Sequence, residues 1–284
     1  MTTASAPGKV ILCGEHAVVY GQPAIALPLP EVRAQATVEA AAPDAGIRLN
    51  LADLGESVML REAQDHPLAT LIRLVIEELQ VTQPLDLLIT LRSAIPIASG
   101  MGSGAALGAA LVKALSAQLG RSLDPGTVSR LVYESERFYH GTPSGIDNTV
   151  VSYEQAIWFV RGQEQQGRRT PPTIEPLRIG APFALVIGDT GVHAPTHITV
   201  GRVRERWQQE PQRFDRLFNE IGQVVAAIRQ QLAAGDLPAL GAALNRNQDL
   251  LHEIGVSSPE LERLITGARE VGALGAKLSG GGGG

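Results

Sequence analysis

A single cysteine, Cys13, leaves this 284-residue chain no internal disulfide and no cysteine-rich zinc site, and it suits a reducing compartment. Lysine is almost as scarce: Lys9, Lys113 and Lys277 are the only three, so nearly all of the 24 cationic side chains are arginine. Those 24 face 29 acidic residues, a net charge of −5, and no basic surplus exists to draw the chain onto nucleic acid or an anionic membrane. An anionic ligand must therefore meet a local site. No run reaches the roughly 18 uncharged apolar residues of a membrane span, and the opening residues Met1 to Pro7 lack a basic-then-apolar signal. The expectation is a cytoplasmic protein. No period of 20 to 50 residues repeats, which sets solenoids and propellers aside. What remains, 44% hydrophobic and 19% charged, is a globular chain of one large domain or two fused ones.

The apolar pattern predicts an α+β mixture. Lys9 to Leu12, Ala17 to Tyr20, Glu31 to Glu39 and Leu85 to Leu91 are short β-like runs bounded by Gly, Pro or Asp. Between them, Leu68, Leu71, Ile72, Val75, Ile76 and Leu79 recur at the spacing of one buried helical face and predict a helix over residues 66–80. An Ala/Leu-rich helix follows the glycines at 100–104 and ends near Gly120, and Asp124-Pro125 opens another that runs to about Tyr139. Strands are expected around Val150 and Ile157, a linker from Gly162 to Pro172, and a buried strand from Phe183 to Ile187. Helices are expected at about 195–209, 212–234, 237–252 and 258–271. Strands and helices do not alternate as in a Rossmann or TIM chain.

Three glycine-marked segments carry the chemistry. In Ser99-Gly100-Met101-Gly102-Ser103-Gly104 the glycines permit positive φ, and Ser103 falls where the helix starts, so free N–H groups and the helix dipole converge as they do on a phosphate. A capped flexible loop is the plainer alternative. The segment lacks the Lys-Ser/Thr ending of a Walker loop, Lys113 lies too far down the helix to substitute, and Met101 excludes a G-x-S-x-G elbow. The second segment, Lys277-Leu278-Ser279 followed by five glycines, reads as a flexible tail or as a second phosphate-contacting loop led by Lys277. The third, Pro7 to Gly21, sets Lys9 at a strand start and a Glu15-His16 pair just after Gly14.

Two carboxylates lie eleven residues apart. Asp147 sits in the turn-rich stretch His140 to Asn148, and Glu136 on the exit turn of the preceding helix. Paired carboxylates beside a phosphate-binding turn suit metal-assisted phosphoryl transfer, one holding Mg²⁺ and one taking the proton of the attacking hydroxyl. An Asx-turn for Asp147 and a solvated helix face for Glu136 are the competing readings. A compact ammonium at Lys9 would keep a neighbouring carboxylate ionised. His193 and His197 are spaced like a zinc pair, but Pro195 between them and the lack of a nearby carboxylate argue against it, and Cys13 reads as a packed strand residue.

The segments PGKVILCGEHAVVYG, PIASGMGSGAA and KLSGGGGG, in that order, resemble the three motifs of the GHMP kinase superfamily, and GEHAVVYG with HGTPSGIDN resembles its mevalonate kinase family. The likeness runs from Ala6 to the last residue. It implies a ribosomal-S5-domain-2-like ATP-binding domain over 1–165 and a ferredoxin-like domain over 166–284. The implied activity is ATP-dependent phosphorylation of mevalonate at its 5-hydroxyl, with Mg²⁺ as cofactor and a homodimer as the assembly. Phosphomevalonate kinase, a kinase for the mevalonate 3-hydroxyl, and a silent nucleotide-binding protein on the same fold stay open as alternatives.

The resemblance also implies residue roles. Asp147 becomes the catalytic aspartate and Lys9 its cationic neighbour. Glu136 becomes the Mg²⁺ ligand, with Ser103 assisting. Glu15, His16 and Thr196 fall on the substrate side, and Ile97, Ala98, Ser99, Gly100, Met101, Gly102, Ser103, Gly104 and Ala105 form the nucleotide loop. Two departures stand out. Gly104 replaces the second serine of the family's Gly-Leu-Gly-Ser-Ser-Ala, a metal ligand, so coordination is expected to fall to Glu136, ATP oxygens, water and Ser103. The family's third motif runs on into a further strand, so the last strand is expected to be missing after Gly284.

Overall fold

The computed structural model describes the chain apart from residues 97–99, 141–142, 163, 166–167 and 193. It divides into two compact units. Met1–Lys9, Pro28–Ile97 and Met101–Gln155 make the first, and Val10–Leu27, Ala98–Gly100 and Ala156–Gly284 the second. No single cut separates them, because strands β1 (Thr2–Cys13) and β2 (Pro23–Ala40) each contribute to both.

In the first unit β2 pairs antiparallel with β5 (Leu87–Ser93), Ala34 opposite Ser93 and Ala40 opposite Leu87. β3 (Ile47–Leu51) runs parallel to β5 and pairs antiparallel with β4 (Glu56–Met59) on its other side. The period of two along these strands puts Ala34, Ala36 and Val38 on one face with Ile89, Leu91 and Leu49, all buried. Four helices pack together here: α1 (Pro67–Glu78), α2 (Ser103–Gln118), α3 (Pro125–His140) and α4 (Ile146–Tyr153). Small residues let α2 sit deep in this group. A β-carbon on Gly108 would stand 3.2 Å from Leu71 of α1 and 3.4 Å from Val132 of α3.

In the second unit Pro23 to Ala26 of β2 pair antiparallel with β6 (Ile157–Val160), which carries β9 (Thr173–Pro176) on its other edge. A two-residue pair, β7 (Glu164–Gln165) with β8 (Arg168–Arg169), lies within the stretch expected as a linker. Helices α5 (Thr196–Gln209), α6 (Pro211–Ala234), α7 (Leu237–Glu253) and α8 (Pro259–Glu270) match the expected spans within a residue or two. Helix α6 buries Phe214, Leu217, Phe218, Ile221, Val225, Ile228 and Leu232 along one face, and Tyr20 stacks on Phe218 with ring centroids 4.1 Å apart.

Three expected strands are absent. Ala17–Tyr20 is a 3₁₀ turn, because left-handed backbone at Gly14, His16 and Gly21 breaks any ladder on either side. The β-branched stretch around Val150 is α4. Gly145 in a left-handed conformation starts it, and Ile146, Val150 and Val151 point inward at helical spacing. Residues 183–187 belong to no strand, and Val186 is 92% exposed; among the described residues no neighbouring strand offers that apolar run a ladder. Among the described residues no helix is long and apolar enough to cross a membrane.

Gly14 shows how tightly the turn after β1 is set. Its φ is +95°, and an added β-carbon would stand 2.5 Å from the Pro23 carbonyl oxygen and 2.6 Å from the Ala24 Cα. Gly14→Ala is expected to destabilise the protein by more than about 3 kcal/mol, read as a lowered urea midpoint at unchanged slope.

Candidate active site

The glycine turn before α2 is built as the glycines require. Gly100 has φ +72° and Gly102 φ +71°, and Gly102 caps α2, whose first residue is Ser103. Gly104 differs from the expectation of positive φ at all three glycines. It is an ordinary helical residue in the first turn of α2, and a β-carbon there would meet nothing within 4 Å. Met101 anchors the turn by accepting a 3.0 Å hydrogen bond from the backbone N–H of Lys9. Ala105 is buried in α2, while Ile97, Ala98 and Ser99 of the expected nucleotide loop lie outside the described residues.

Lys9 crosses this turn. A β-carbon on Gly102 would come within 2.9 Å of the Lys9 Cγ, so only glycine leaves room for the lysine stem. Lys9 is 3% exposed, and its ammonium ends 3.1 Å from the Asp147 carboxylate, whose side chain keeps about a third of its surface open. An open, ion-paired carboxylate beside a phosphate turn can receive a proton. Glu136 shares this field. Burial first, and then the charge of Asp147, push its carboxyl above the usual carboxylate range, with Lys9 pulling the other way. The solvated-face reading of Glu136 does not hold.

The spacing of these carboxylates follows from how α3 and α4 are locked. Asn148, next to Asp147, is buried and donates from Nδ2 to the Ser129 carbonyl at 3.0 Å and to the Ser129 hydroxyl at 2.8 Å. Thr149 donates its hydroxyl to the Gly145 carbonyl at 2.6 Å. Ser129 and Glu136 are seven residues apart on α3, two turns along one face. Nothing in the sequence marks Ser129, because a serine in a helix carries no motif.

The second unit holds the other expected residues. His16 has φ +60°, a strained value for a non-glycine residue, and is buried. Its Nε2–H donates to the Gly281 carbonyl at 3.1 Å, desolvation pushes its pKa down to about 4, and the neutral ring keeps Nδ1 as a buried acceptor with no hydrogen bond among the described residues. Thr196 opens α5, and a β-carbon on Gly281 would stand 3.1 Å from its Cγ2. Glu15 is ion-paired with Lys277, so the Lys277 ammonium is engaged by a carboxylate in this second glycine segment. Cys13 is fully buried, and desolvation, followed by the charge of Glu15, raises its thiol far above the reactive range. Lys113 pairs with Glu154 at 2.6 Å, away from any phosphate role. His193 of the zinc-pair reading lies outside the described residues, and among those described no three metal-ligating side chains gather.

Known proteins resemble this chain along its whole length. The GHMP kinases N terminal domain model matches residues 67–155 and the GHMP kinases C terminal model residues 225–284. A mevalonate kinase of Thermococcus sibiricus is 34% identical over 99% of this chain and 86% of its own length. The chain belongs to the GHMP kinases. The crystal structure of L. major mevalonate kinase in complex with R-mevalonate has a TM-score of 0.77 at 30% identity, covering 100% of this chain and 85% of that one. The Methanococcus jannaschii mevalonate kinase, at 23% identity and TM-score 0.78 over 99% and 88%, shares the fold. As a GHMP kinase the chain is an enzyme that transfers phosphoryl groups, on a two-domain α+β fold.

Gly104 stands where the family resemblance leads one to expect a serine, and the open space around it decides what a side chain would do there. Gly104→Ser is expected to fold with its melting temperature unchanged or slightly raised, since serine is favoured over glycine in a helix by a few tenths of a kcal/mol. It is also expected to lower the Mg·ATP concentration needed for half-maximal rate. Titration of ATP binding in the folded variant checks this, and a large loss of binding would show that the nucleotide backs directly against the Gly104 Cα.

Proposed function

We propose that this kinase transfers the γ-phosphoryl group of ATP to the 5-hydroxyl of mevalonate, giving 5-phosphomevalonate and ADP. The observation that carries the reading is the Lys9–Asp147 ion pair held across Gly102 at the mouth of the phosphate turn. Mevalonate kinases at 29–34% identity over nearly the whole chain support the choice of substrate. The reading includes an ATP-binding domain formed around the first unit, a cytoplasmic setting in which the lone thiol stays reduced, and a homodimer.

In this mechanism Asp147 receives the proton of the 5-hydroxyl as its oxygen attacks the γ-phosphorus, and the bond from that phosphorus to the β-bridging oxygen breaks to release ADP. Lys9 orients Asp147 through their ion pair and faces the negative charge that spreads over the phosphoryl oxygens. Backbone N–H groups of Gly100 to Ala105 and the N-terminal end of α2 bind the phosphates. His16, held neutral, and Thr196 keep the substrate-side roles that the family resemblance implies. A hard divalent cation would fit the first unit, because the buried Glu136 carboxyl, set in the field of Asp147, would gain from a nearby positive charge. Glu136 and the Ser103 hydroxyl would hold it. When bound, Mg²⁺ neutralises charge on the phosphate oxygens.

A coupled ADP-release assay over mevalonate, phosphomevalonate, galactose and homoserine tests the reading. Turnover with mevalonate alone is expected, and turnover with phosphomevalonate instead would overturn it. Asp147→Asn keeps the shape but loses the proton acceptor, and its kcat is expected to fall by about 10²-fold or more with ATP affinity little changed. Glu136→Gln is expected to raise the Mg²⁺ concentration for half-maximal rate. An unmoved Mg²⁺ titration would take Glu136 out of the metal site.

A further inference from the structure

Glu15 sits in the segment whose resemblance assigns it to the substrate side, yet its surroundings in the second unit describe a different task. It is 1% exposed, and its carboxylate is ion-paired with Lys277, 262 residues away in sequence and itself nearly buried. Lys277 also donates to the carbonyl of Leu278, so the same ammonium grips the first residue of the terminal glycine segment. From there the segment is fastened at each step. Leu278 donates its N–H to Gln248 Oε1 at 3.0 Å. The Ser279 hydroxyl takes the place of a strand partner for Ile11, accepting from its N–H at 3.2 Å and donating to its carbonyl at 3.1 Å. Gly281 accepts from His16, and Gly283 donates to the Val256 carbonyl at 2.8 Å.

A buried carboxylate whose charge is already balanced by a buried ammonium is a poor substrate ligand, because turning to substrate would strand the lysine without its counter-ion. It is well suited to hold a backbone. The segment needs holding: Gly280, Gly282 and Gly283 all take positive φ, and side chains are excluded at Gly281, where a β-carbon would stand 2.9 Å from the Thr199 hydroxyl. Glycine-rich chain in such a conformation loses much entropy on ordering, so its shape depends on contacts at its ends.

We infer that Glu15 is a positioning residue that acts through Lys277 to fix the terminal glycine segment against Ile11 and His16, in place of a direct role on substrate. The inference rests on the reading of the chain as a mevalonate-phosphorylating kinase only for its kinetic readout. Its structural readout is amide hydrogen exchange of residues 278–284 in the full chain.

The test compares Glu15→Gln, Lys277→Gln and the double variant carrying both. Each single change leaves one buried charge unbalanced, so amide exchange over 278–284 is expected to rise by about tenfold or more, with kcat/KM falling for ATP and mevalonate together. The double variant carries no buried charge, and it is expected to recover exchange protection and kcat/KM to within about threefold of the parent. The inference is overturned if the double variant stays as impaired as Glu15→Gln, with a mevalonate KM raised about tenfold, an unchanged ATP KM and unchanged exchange over 278–284. That pattern would mark Glu15 as a substrate ligand. If a single variant fails to fold, the double variant decides by the same two readouts. A parent enzyme that turned over no mevalonate would count against the substrate assignment alone, since exchange over 278–284 would still report the pair.

Discussion

The first unit depends on one buried ammonium. Lys9 enters from a strand edge, lies against a glycine that cannot carry a side chain, and ends on Asp147. A lysine so far from water persists only with a carboxylate partner, because removing one member of a buried pair typically costs about 3–5 kcal/mol. Glycine at 102 is therefore required twice, once for left-handed backbone at the helix cap and once for the lysine stem. The pair and the phosphate turn cannot vary independently.

Electrostatic crowding explains why so much polar hardware lies behind Asp147. Burying Glu136, and doing so near a second carboxylate, works against folding, as the upward push on its pKa records. Helices free to adjust would relax by sliding apart. The Asn148 bonds to both the carbonyl and the hydroxyl of Ser129 prevent this, since a slide of one residue would break both at once. Strain of this kind at a site, offset by packing and hydrogen bonds around it, is common where charges must be ready for a ligand.

Helices of this chain are legible in the sequence because their apolar residues repeat at three and four positions over several turns, as in α1 and α6. The Lys9, Asp147 and Glu136 trio was legible for a different reason: lysine is rare here, and the carboxylates flank a glycine turn. Short segments failed where tertiary context overrode local preference. Val150 and Val151 suit a strand, but a left-handed Gly145 starts a helix that buries them. Ala17–Tyr20 has a strand's composition, yet glycines on both sides force a 3₁₀ turn. Residues 183–187 look like a core strand, but apolar character alone makes no strand without a ladder partner. The Glu15–Lys277 pair was out of reach because its members lie 262 residues apart and neither belongs to a spacing rule.

The two glycine segments solve opposite problems with one residue type. In the turn before α2, Gly100 and Gly102 supply backbone conformation, while Gly104 borders open space and packing does not require it. In the terminal segment, Gly281, Gly282, Gly283 and Gly284 are closed in by neighbours at 3.0 Å or less from any added β-carbon. A side chain at position 104 is therefore one the fold could accept, whereas every glycine from 281 onward is imposed by packing. Variation can enter at the first segment, and the second can only be held in place, which gives a buried ion pair at its root a physical purpose.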